Sequence, residues 1–154
     1  DLTLTERIDL DLLRNRIEKE TGDEISFYDG ITNDTTLCIP PDQLQKAISV
    51  LMAQFDCAHL TAITAQQRED KKDVIEVMYH FWKGSGISLL ITLPVKAPQL
   101  ASITSVIPGA DFYEREVAEM FGVRFSGRDD TPPLLLPDDW DQGPPFIRNE
   151  VEDE

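Results

Sequence analysis

The sequence contains few of the residues that build metal or redox sites. It has two cysteines, Cys38 and Cys57, and two histidines, His59 and His80, among 154 residues. Neither cysteine belongs to a CxxC pair or stands at a metal-ligand spacing from a histidine, so local sequence predicts neither a zinc site nor an iron–sulfur cluster. We expect both cysteines to be small buried apolar residues. No serine or cysteine nucleophile motif accompanies either histidine, which argues against a catalytic role for His80.

Basic residues are also scarce. The 14 lysines and arginines stand against 29 acidic residues, which gives a formal net charge of -15. Nucleic acids and anionic membrane surfaces both require a basic footprint on the protein that binds them. This balance therefore argues against either as the direct ligand and favours a protein partner with basic patches.

Long hydrophobic runs are absent as well. The longest apolar stretch, at residues 87–95, is interrupted by Ser88 and Thr92 and is far shorter than the roughly 20 residues that a membrane helix needs. The chain also begins without a basic and then apolar leader, so we expect an intracellular protein with no membrane span. Its 41% hydrophobic and 28% charged residues suit one globular domain of this length.

The periodicity of the apolar residues predicts an α+β fold. Helical spacing is found over about residues 4–21, behind a capping box at Thr3 and Glu6, and over about residues 41–55, with a further short helix predicted near residues 98–106. Strand patterns are found at residues 25–28, 35–39, 58–65, 74–82 and 87–93. A two-layer arrangement, with one mixed sheet of about five strands and the helices on one face, is the simplest way to bury both long helical stripes.

Residues 107–122 form the most informative stretch, because they predict a short helix with clear ends. A Pro-Gly pair precedes it, Asp111 is predicted to cap it with Glu114 as the capping-box partner, and Gly122 is predicted to end it. One face is expected to be buried and the other to be charged. The buried face comprises Tyr113, Val117, Met120 and Phe121, and the charged face comprises Glu114, Arg115, Glu116 and Glu119.

The charged face has two explanations. It can be a solvated surface, in which a pair such as Arg115 and Glu119 contributes about a few tenths of a kcal/mol. Alternatively, Glu114, Arg115 and Glu116 can be paired, partly buried anchors for a partner protein. Arg115→Ala separates the two explanations, because it would weaken assembly with the partner by several kcal/mol only if the site is buried.

The composition changes from Arg128 onward, and we divide the chain into a domain at residues 1–127 and an extended C-terminal arm at residues 128–154. Five of the ten prolines lie between Pro132 and Pro145. The arm also carries several large apolar residues that would be unusual in a solvated tail. They are Leu134, Leu135, Leu136, Trp140, Phe146 and Ile147. The arm either folds back over its own domain or lies along another subunit, where proline stiffness would lower the entropy lost on docking.

The order of residues in this region resembles a known family signature. Glu114-Arg115-Glu116, an acid at Glu119, an apolar pair before Gly122, a base at Arg128 and then a Pro-Pro-Leu-Leu run are similar to the signature of the 30-kilodalton subunit family of respiratory complex I. The same family serves membrane-bound nickel–iron hydrogenases. The family usually has His or Lys at the position of Arg128.

The resemblance implies a non-catalytic peripheral-arm subunit of a complex I-like membrane-bound oxidoreductase, with a two-layer α+β fold and no catalytic residue, metal or cofactor of its own. It implies that the chain packs against the large catalytic subunit, beside an iron–sulfur subunit, at the cytoplasmic side of the cell membrane. The expected partner-contact residues are Glu114, Arg115, Glu116, Arg128, Leu135, Trp140, Phe146 and Arg148. The Leu-Pro-Asp-Asp-Trp run at residues 136–140 looks like the energy-converting hydrogenase branch, which we therefore prefer over an NADH:quinone oxidoreductase.

Two alternatives come from other classes. The chain can be an independent metal-dependent acidic enzyme that uses Asp129 and Asp130, or Asp138 and Asp139, as ligands. Adjacent carboxylates on an extended chain point to opposite sides, which makes a shared ion awkward. The chain can also be a soluble binding module unconnected with respiration.

Overall fold

A computed structural model describes residues 8–28, 35–55, 58–128 and 132–148. The helices are α1 (Leu10–Thr21), α2 (Leu44–Gln54), which follows a 3-10 turn at Pro41–Gln43, and α3 (Ala110–Phe121). The strands are β1 (Ser26–Phe27), β2 (Thr36–Cys38), β3 (His59–Gln66), β4 (Val74–Trp82), β5 (Gly86–Pro94), β6 (Gln99–Ala101) and β7 (Arg124–Ser126). The predicted α+β class is confirmed.

The first five strands form one mixed sheet in the order β1-β2-β5-β4-β3. Strand β2 runs parallel to β5, and the other neighbours are antiparallel. Alternation along β4 turns one set of side chains into the core, as the sequence predicts. This set comprises Ile75, Val77, Tyr79 and Phe81, none more than 1% exposed. The two-layer arrangement of one sheet with helices on one face is confirmed.

Helix α1 begins later than the sequence predicts. Ile8 and Asp9 are not helical, and the Asp9 side chain accepts a hydrogen bond from the backbone N–H of Leu12 at 3.0 Å. An aspartate in this position satisfies an amide that the first helical turn leaves free, so it sets the start of the helix. The predicted capping box at Thr3 and Glu6 lies outside the described residues.

The short helix predicted near residues 98–106 is wrong. Residues 99–101 form β6, which pairs in parallel with β7, a strand that the sequence analysis did not predict. Leu100 pairs with Phe125 and both are buried, so this apolar residue fits strand alternation as well as helical spacing. A turn follows, in which the backbone N–H of Ile107 donates to the carbonyl of Ile103 at 2.8 Å.

None of the helices in the described ranges is both long enough and apolar enough to cross a membrane.

Candidate partner-binding surface

Helix α3 begins at Ala110, one residue before the predicted cap. Gly109 occupies the N-cap position and makes no side-chain cap hydrogen bond, so the predicted capping box of Asp111 and Glu114 is wrong. Both carboxylates instead contact Arg128. The other end is confirmed: Gly122 has φ 70°, and its N–H donates to the carbonyl of Ala118 at 2.9 Å.

Glu114 is a buried carboxylate at the centre of this region. It has 0% exposure, its Oε1 accepts from the backbone N–H of Ile103 at 2.7 Å, and its Oε2 accepts from the Ser102 hydroxyl at 2.7 Å. Arg128 Nη1 lies 3.3 Å from the same Oε2. Burial raises the pKa of Glu114, and these donors partly offset that rise. The carboxylate therefore connects α3 both to the turn after β6 and to the start of the arm.

Arg128 bridges two acidic residues of α3. Its side chain is 12% exposed, and its Nη2 lies 2.5 Å from Asp111 Oδ1 while Nη1 faces Glu114. The planar guanidinium can contact two carboxylates at once, which a single amine does less well. The base at this position therefore has a structural role within the chain.

The charged face of α3 is divided by the fold. Glu114 joins Ala110 and Val117 on the buried side, so its assignment to a charged outer face is wrong. Arg115 is half-buried, and its Nη2 donates to the carbonyl of Pro132 at 2.9 Å. Glu116 is exposed.

Glu119 holds the first part of the arm. Its carboxylate accepts hydrogen bonds from three consecutive backbone N–H groups, those of Leu134, Leu135 (2.8 Å) and Leu136 (3.2 Å). Burial alone would raise the pKa of Glu119, but these three donors and the charge of Arg115 lower it below its usual value. The sequence analysis missed this role, because a pattern cannot show which residue meets backbone donors 15 or more positions away.

The end of the arm contacts the same helix. The backbone N–H of Phe146 donates to the carbonyl of Met120 at 3.0 Å, and its ring meets Phe121 edge-on at 5.6 Å between centroids. Arg148 Nη1 lies 2.7 Å from Glu69, and its backbone N–H donates to Gln67 at 2.7 Å. Residues 132–148 of the arm thus fold back over their own domain, which is one of the two alternatives raised by the sequence.

Three large apolar side chains of the arm nevertheless remain in contact with solvent. Leu135 is 54% exposed, Trp140 38% and Phe146 58%. Trp140 uses its indole N–H locally, donating to the carbonyl of Gly143 at 2.7 Å. Backbone contacts hold residues 132–148, while the described part of the chain leaves these three side chains only partly covered.

Of the predicted contact residues, the structure brings Glu114, Arg115 and Arg128 to the α3 face that meets the start of the arm. Leu135 is connected to the same helix through Glu119. The other predicted contacts are distributed along the outer surface. They are Glu116 on α3 and Trp140, Phe146 and Arg148 farther along the arm.

The side chains available for metal chemistry are dispersed. Asp138 and Asp139 are exposed, and no cluster of three or more His, Cys, Asp or Glu able to hold a metal occurs in the described part of the chain. Asp129 and Asp130 lie outside the described residues.

Two titratable side chains of the sheet, His80 and Cys38, have pKa values shifted by burial. Both ring nitrogens of His80 meet hydroxyls, with Nδ1 2.7 Å from Ser88 and Nε2 2.8 Å from Thr64, and burial lowers its pKa. Cys38 is half-buried rather than buried, and burial raises the pKa of its thiol. Cys57 lies outside the described residues.

Together these features define a class: a two-layer α+β domain whose last helix holds residues 132–148 of the C-terminal arm. The chain belongs to the family described as "Respiratory-chain NADH dehydrogenase, 30 Kd subunit", whose model matches residues 37–152. The predicted family is thereby confirmed.

Two relatives illustrate the similarity. The chain is 34% identical over 149 residues to the C/D subunit of the NADH-quinone oxidoreductase of Methylococcus capsulatus, a match that covers 89% of this chain and 25% of that protein. It is 31% identical over 130 residues to the C subunit of the NADH-quinone oxidoreductase of Rhodobacter capsulatus, covering 81% of this chain and 64% of that one. The chain thus spans less than two thirds of either relative.

Two solved structures share the fold. A chain of an archaeal membrane-bound sulfane sulfur reductase superposes with a TM-score of 0.62 at 19% identity, covering 84% of this chain and 77% of its own. A trypsin-resistant fragment of Nqo5 superposes with a TM-score of 0.62 at 21% identity, covering 77% and 98%.

Proposed function

We propose that this chain is a non-catalytic subunit of a membrane-bound NADH:quinone oxidoreductase and that it scaffolds the large catalytic subunit. The observation that carries the proposal is the arm, whose backbone is held by its own domain while Leu135, Trp140 and Phe146 face solvent. A partner that covered these side chains would gain roughly 1.5–3 kcal/mol for each one fully buried. Because the domain already holds residues 132–148 through hydrogen bonds, little entropy would be lost when this part of the arm docks.

The names of the relatives support the choice of enzyme and of partner. The Methylococcus and Rhodobacter relatives are named as subunits of NADH-quinone oxidoreductases, and the C/D name of the Methylococcus protein joins two subunit designations in one polypeptide. A covalent link between two subunits is natural where they are neighbours. We therefore propose that the polypeptide designated D is the large subunit that lies over the arm. These names do not support the hydrogenase branch preferred from residues 136–140.

We extend the proposal to the location of the subunit and to its lack of an electron carrier. The subunit would sit peripherally at the cytoplasmic side of the cell membrane, next to an iron–sulfur subunit, and would carry no electron carrier itself. Its contribution would be geometric, because it would hold the large subunit in a fixed position relative to its neighbours.

The proposal is tested by extracting the complex in mild detergent through a tag on this chain and identifying the chains that co-purify. Leu135→Ser is the informative variant, and Leu12→Ser on α1 is its matched control, since Leu12 is 42% exposed and Leu135 is 54% exposed. We expect Leu135→Ser to lower recovery of the large subunit at least about tenfold, which corresponds to about 1.4 kcal/mol, and Leu12→Ser to leave it unchanged.

The same preparation tests the type of enzyme. NADH-dependent quinone reduction by the recovered assembly supports the proposal. Hydrogen-dependent reduction would instead show that the chain is a subunit of a hydrogenase. Recovery of the chain alone, with no large subunit, would refute the scaffold role.

A further inference from the structure

A groove beside the start of the arm is rich in hydrogen-bond donors. It has a volume of about 590 Å³, lies between α3 and β7, and is lined in part by Arg115, Arg124 and Arg128. Three of the 14 basic residues of a chain with net charge -15 thus surround one depression. Such a concentration favours an anionic ligand.

The three guanidinium groups differ in how many of their N–H donors have an acceptor among the described residues. Arg128 is occupied by Asp111 and Glu114. Arg115 donates from Nη2 to a neutral carbonyl, and its buried Nε has no hydrogen-bond partner among the described residues. The side chain of Arg124 is exposed, and it makes no ion pair or side-chain hydrogen bond with any residue that the structure describes.

Among the described residues that line the groove one is acidic, and its carboxylate is already engaged. Glu119 accepts three backbone N–H groups of the arm, so its oxygens are directed towards residues 134–136. Among the guanidinium groups of the described lining residues, those of Arg115 and Arg124 therefore retain unused donors. A guanidinium fork pairs in a bidentate manner with one carboxylate.

We propose that this groove receives an aspartate or glutamate side chain from a partner polypeptide, with Arg124 as the principal ion-pair donor and Arg115 as the second. This inference rests on the proposed function, because the partner would be the subunit that lies over the adjacent arm. The groove is lined by Pro132, two residues before the segment that Glu119 holds, so a polypeptide lying over Leu135 would reach it.

A carboxylate fits this groove better than a free multivalent anion does. The net charge of -15 repels a dissolved polyanion, and the Glu119 carboxylate adds local repulsion. Both repulsions are weaker for a single carboxylate on a docked protein, because it carries one charge, and other contacts of that protein hold it in place. The ion pair would then fix the register of the partner along the arm.

Carbodiimide cross-linking of the assembled complex tests this proposal. Arg124→Lys keeps the positive charge and introduces an amine that the reagent joins only to a carboxylate in direct contact. We expect a cross-link from position 124 to an aspartate or glutamate of a co-purifying chain. The matched control, Arg16→Lys on the exposed side of α1, should give no such product.

Kinetic measurements provide a second readout. Arg124→Gln should speed dissociation of the partner about fivefold to tenfold at low salt, and the difference from the unmodified chain should shrink at high salt. Arg16→Gln should leave dissociation unchanged. Equal effects of the two variants would indicate general electrostatics and would overturn the proposal.

The other outcomes are also decisive. Cross-links from position 124 only to residues of this chain, such as Glu119 or Asp129, would show that the chain fills its own groove. Stabilisation of the isolated chain by inorganic phosphate that Arg124→Gln abolishes would show a free-anion site. If a partner co-purifies but position 124 gives no cross-link, this inference is wrong while the proposed function stands. If no partner co-purifies, both are wrong.

Discussion

Arg128 places its Nη1 3.3 Å from the Oε2 of Glu114, a carboxylate with no exposed surface. Two further donors reach that carboxylate, the hydroxyl of Ser102 and the backbone N–H of Ile103. Removing one member of such a buried group leaves the others unpaired in a medium that solvates them poorly. The stability of this region therefore depends on the set as a whole.

We expect Glu114→Ala to destabilise the chain by about 3–5 kcal/mol, because it leaves the Ser102 hydroxyl and the Ile103 N–H without this acceptor and leaves Arg128 with Asp111 as its one carboxylate partner among the described residues. Glu114→Gln, which keeps one acceptor oxygen, should cost less. Glu116→Ala, on an exposed residue two positions away, should lie within about 0.5 kcal/mol of the parent chain. Urea unfolding of the three variants measures these differences, and a small effect of Glu114→Ala would show that the carboxylate is solvated.

Acidification should release the start of the arm. The pKa of Glu119 is lowered in the folded chain from its ordinary value of 4.5, so Glu119 stabilises the fold above that value and the stabilisation is lost as pH falls through the folded pKa. The amide resonances of residues 134–136 report this event directly. We expect them to shift with a midpoint below 4.5.

Glu119→Gln should abolish that titration, and Glu116→Gln should retain it. A midpoint at or above the ordinary glutamate value would contradict the contact between Glu119 and the arm.

Gly122→Ala should cost more than Gly22→Ala. Both glycines end a helix at positive φ, 70° and 80° respectively, so both substitutions carry the cost of about 1 kcal/mol of a left-handed alanine. A Cβ at Gly122 would also lie 2.8 Å from Pro144 Cγ, whereas one at Gly22 would meet no atom within 4 Å.

Thermal unfolding of the two glycine variants measures the difference. Hydrogen exchange at Phe146, whose N–H donates to Met120, should speed up only in Gly122→Ala. Equal stabilities with unchanged exchange at Phe146 would mean that the arm does not contact this end of α3.

Tyr79→Phe should be neutral or stabilising by up to about 1 kcal/mol. The Tyr79 hydroxyl is buried and has no hydrogen-bond partner in the described residues, and burial raises its pKa. Removing an unsatisfied buried hydroxyl removes its desolvation cost and leaves the ring packing in place. Urea unfolding measures the change, with Phe81→Leu as a control for disturbed packing on the same strand. A clear loss of stability in Tyr79→Phe would show that the hydroxyl is bonded.

Local patterns predicted most of the layered fold. The limits of β4 agree with the prediction at residues 74–82, because alternating apolar residues there face one core. The features that these patterns did not predict depend on tertiary contacts. Glu114 was predicted to lie on the charged face of α3, either solvated or as a partly buried anchor, and its burial within the chain depends on Ser102 and Ile103, which are more than ten residues away. Similarly, the apolar residues of the arm predicted that something covers it. The sequence could not show that its backbone contacts the domain while three of its large side chains remain exposed.

The parallel pairing of β2 with β5 has a consequence for the order in which the chain assembles. Strands β3, β4 and β5 follow one another and pair as neighbours, whereas β2 reaches β5 only after α2, β3 and β4 have been made. Local pairings close short loops quickly, and distant ones carry a larger entropic cost. During synthesis, α1 and α2 therefore emerge before β5 has been made, so their apolar residues are without the sheet with which they share a core until more than half of the chain has been made.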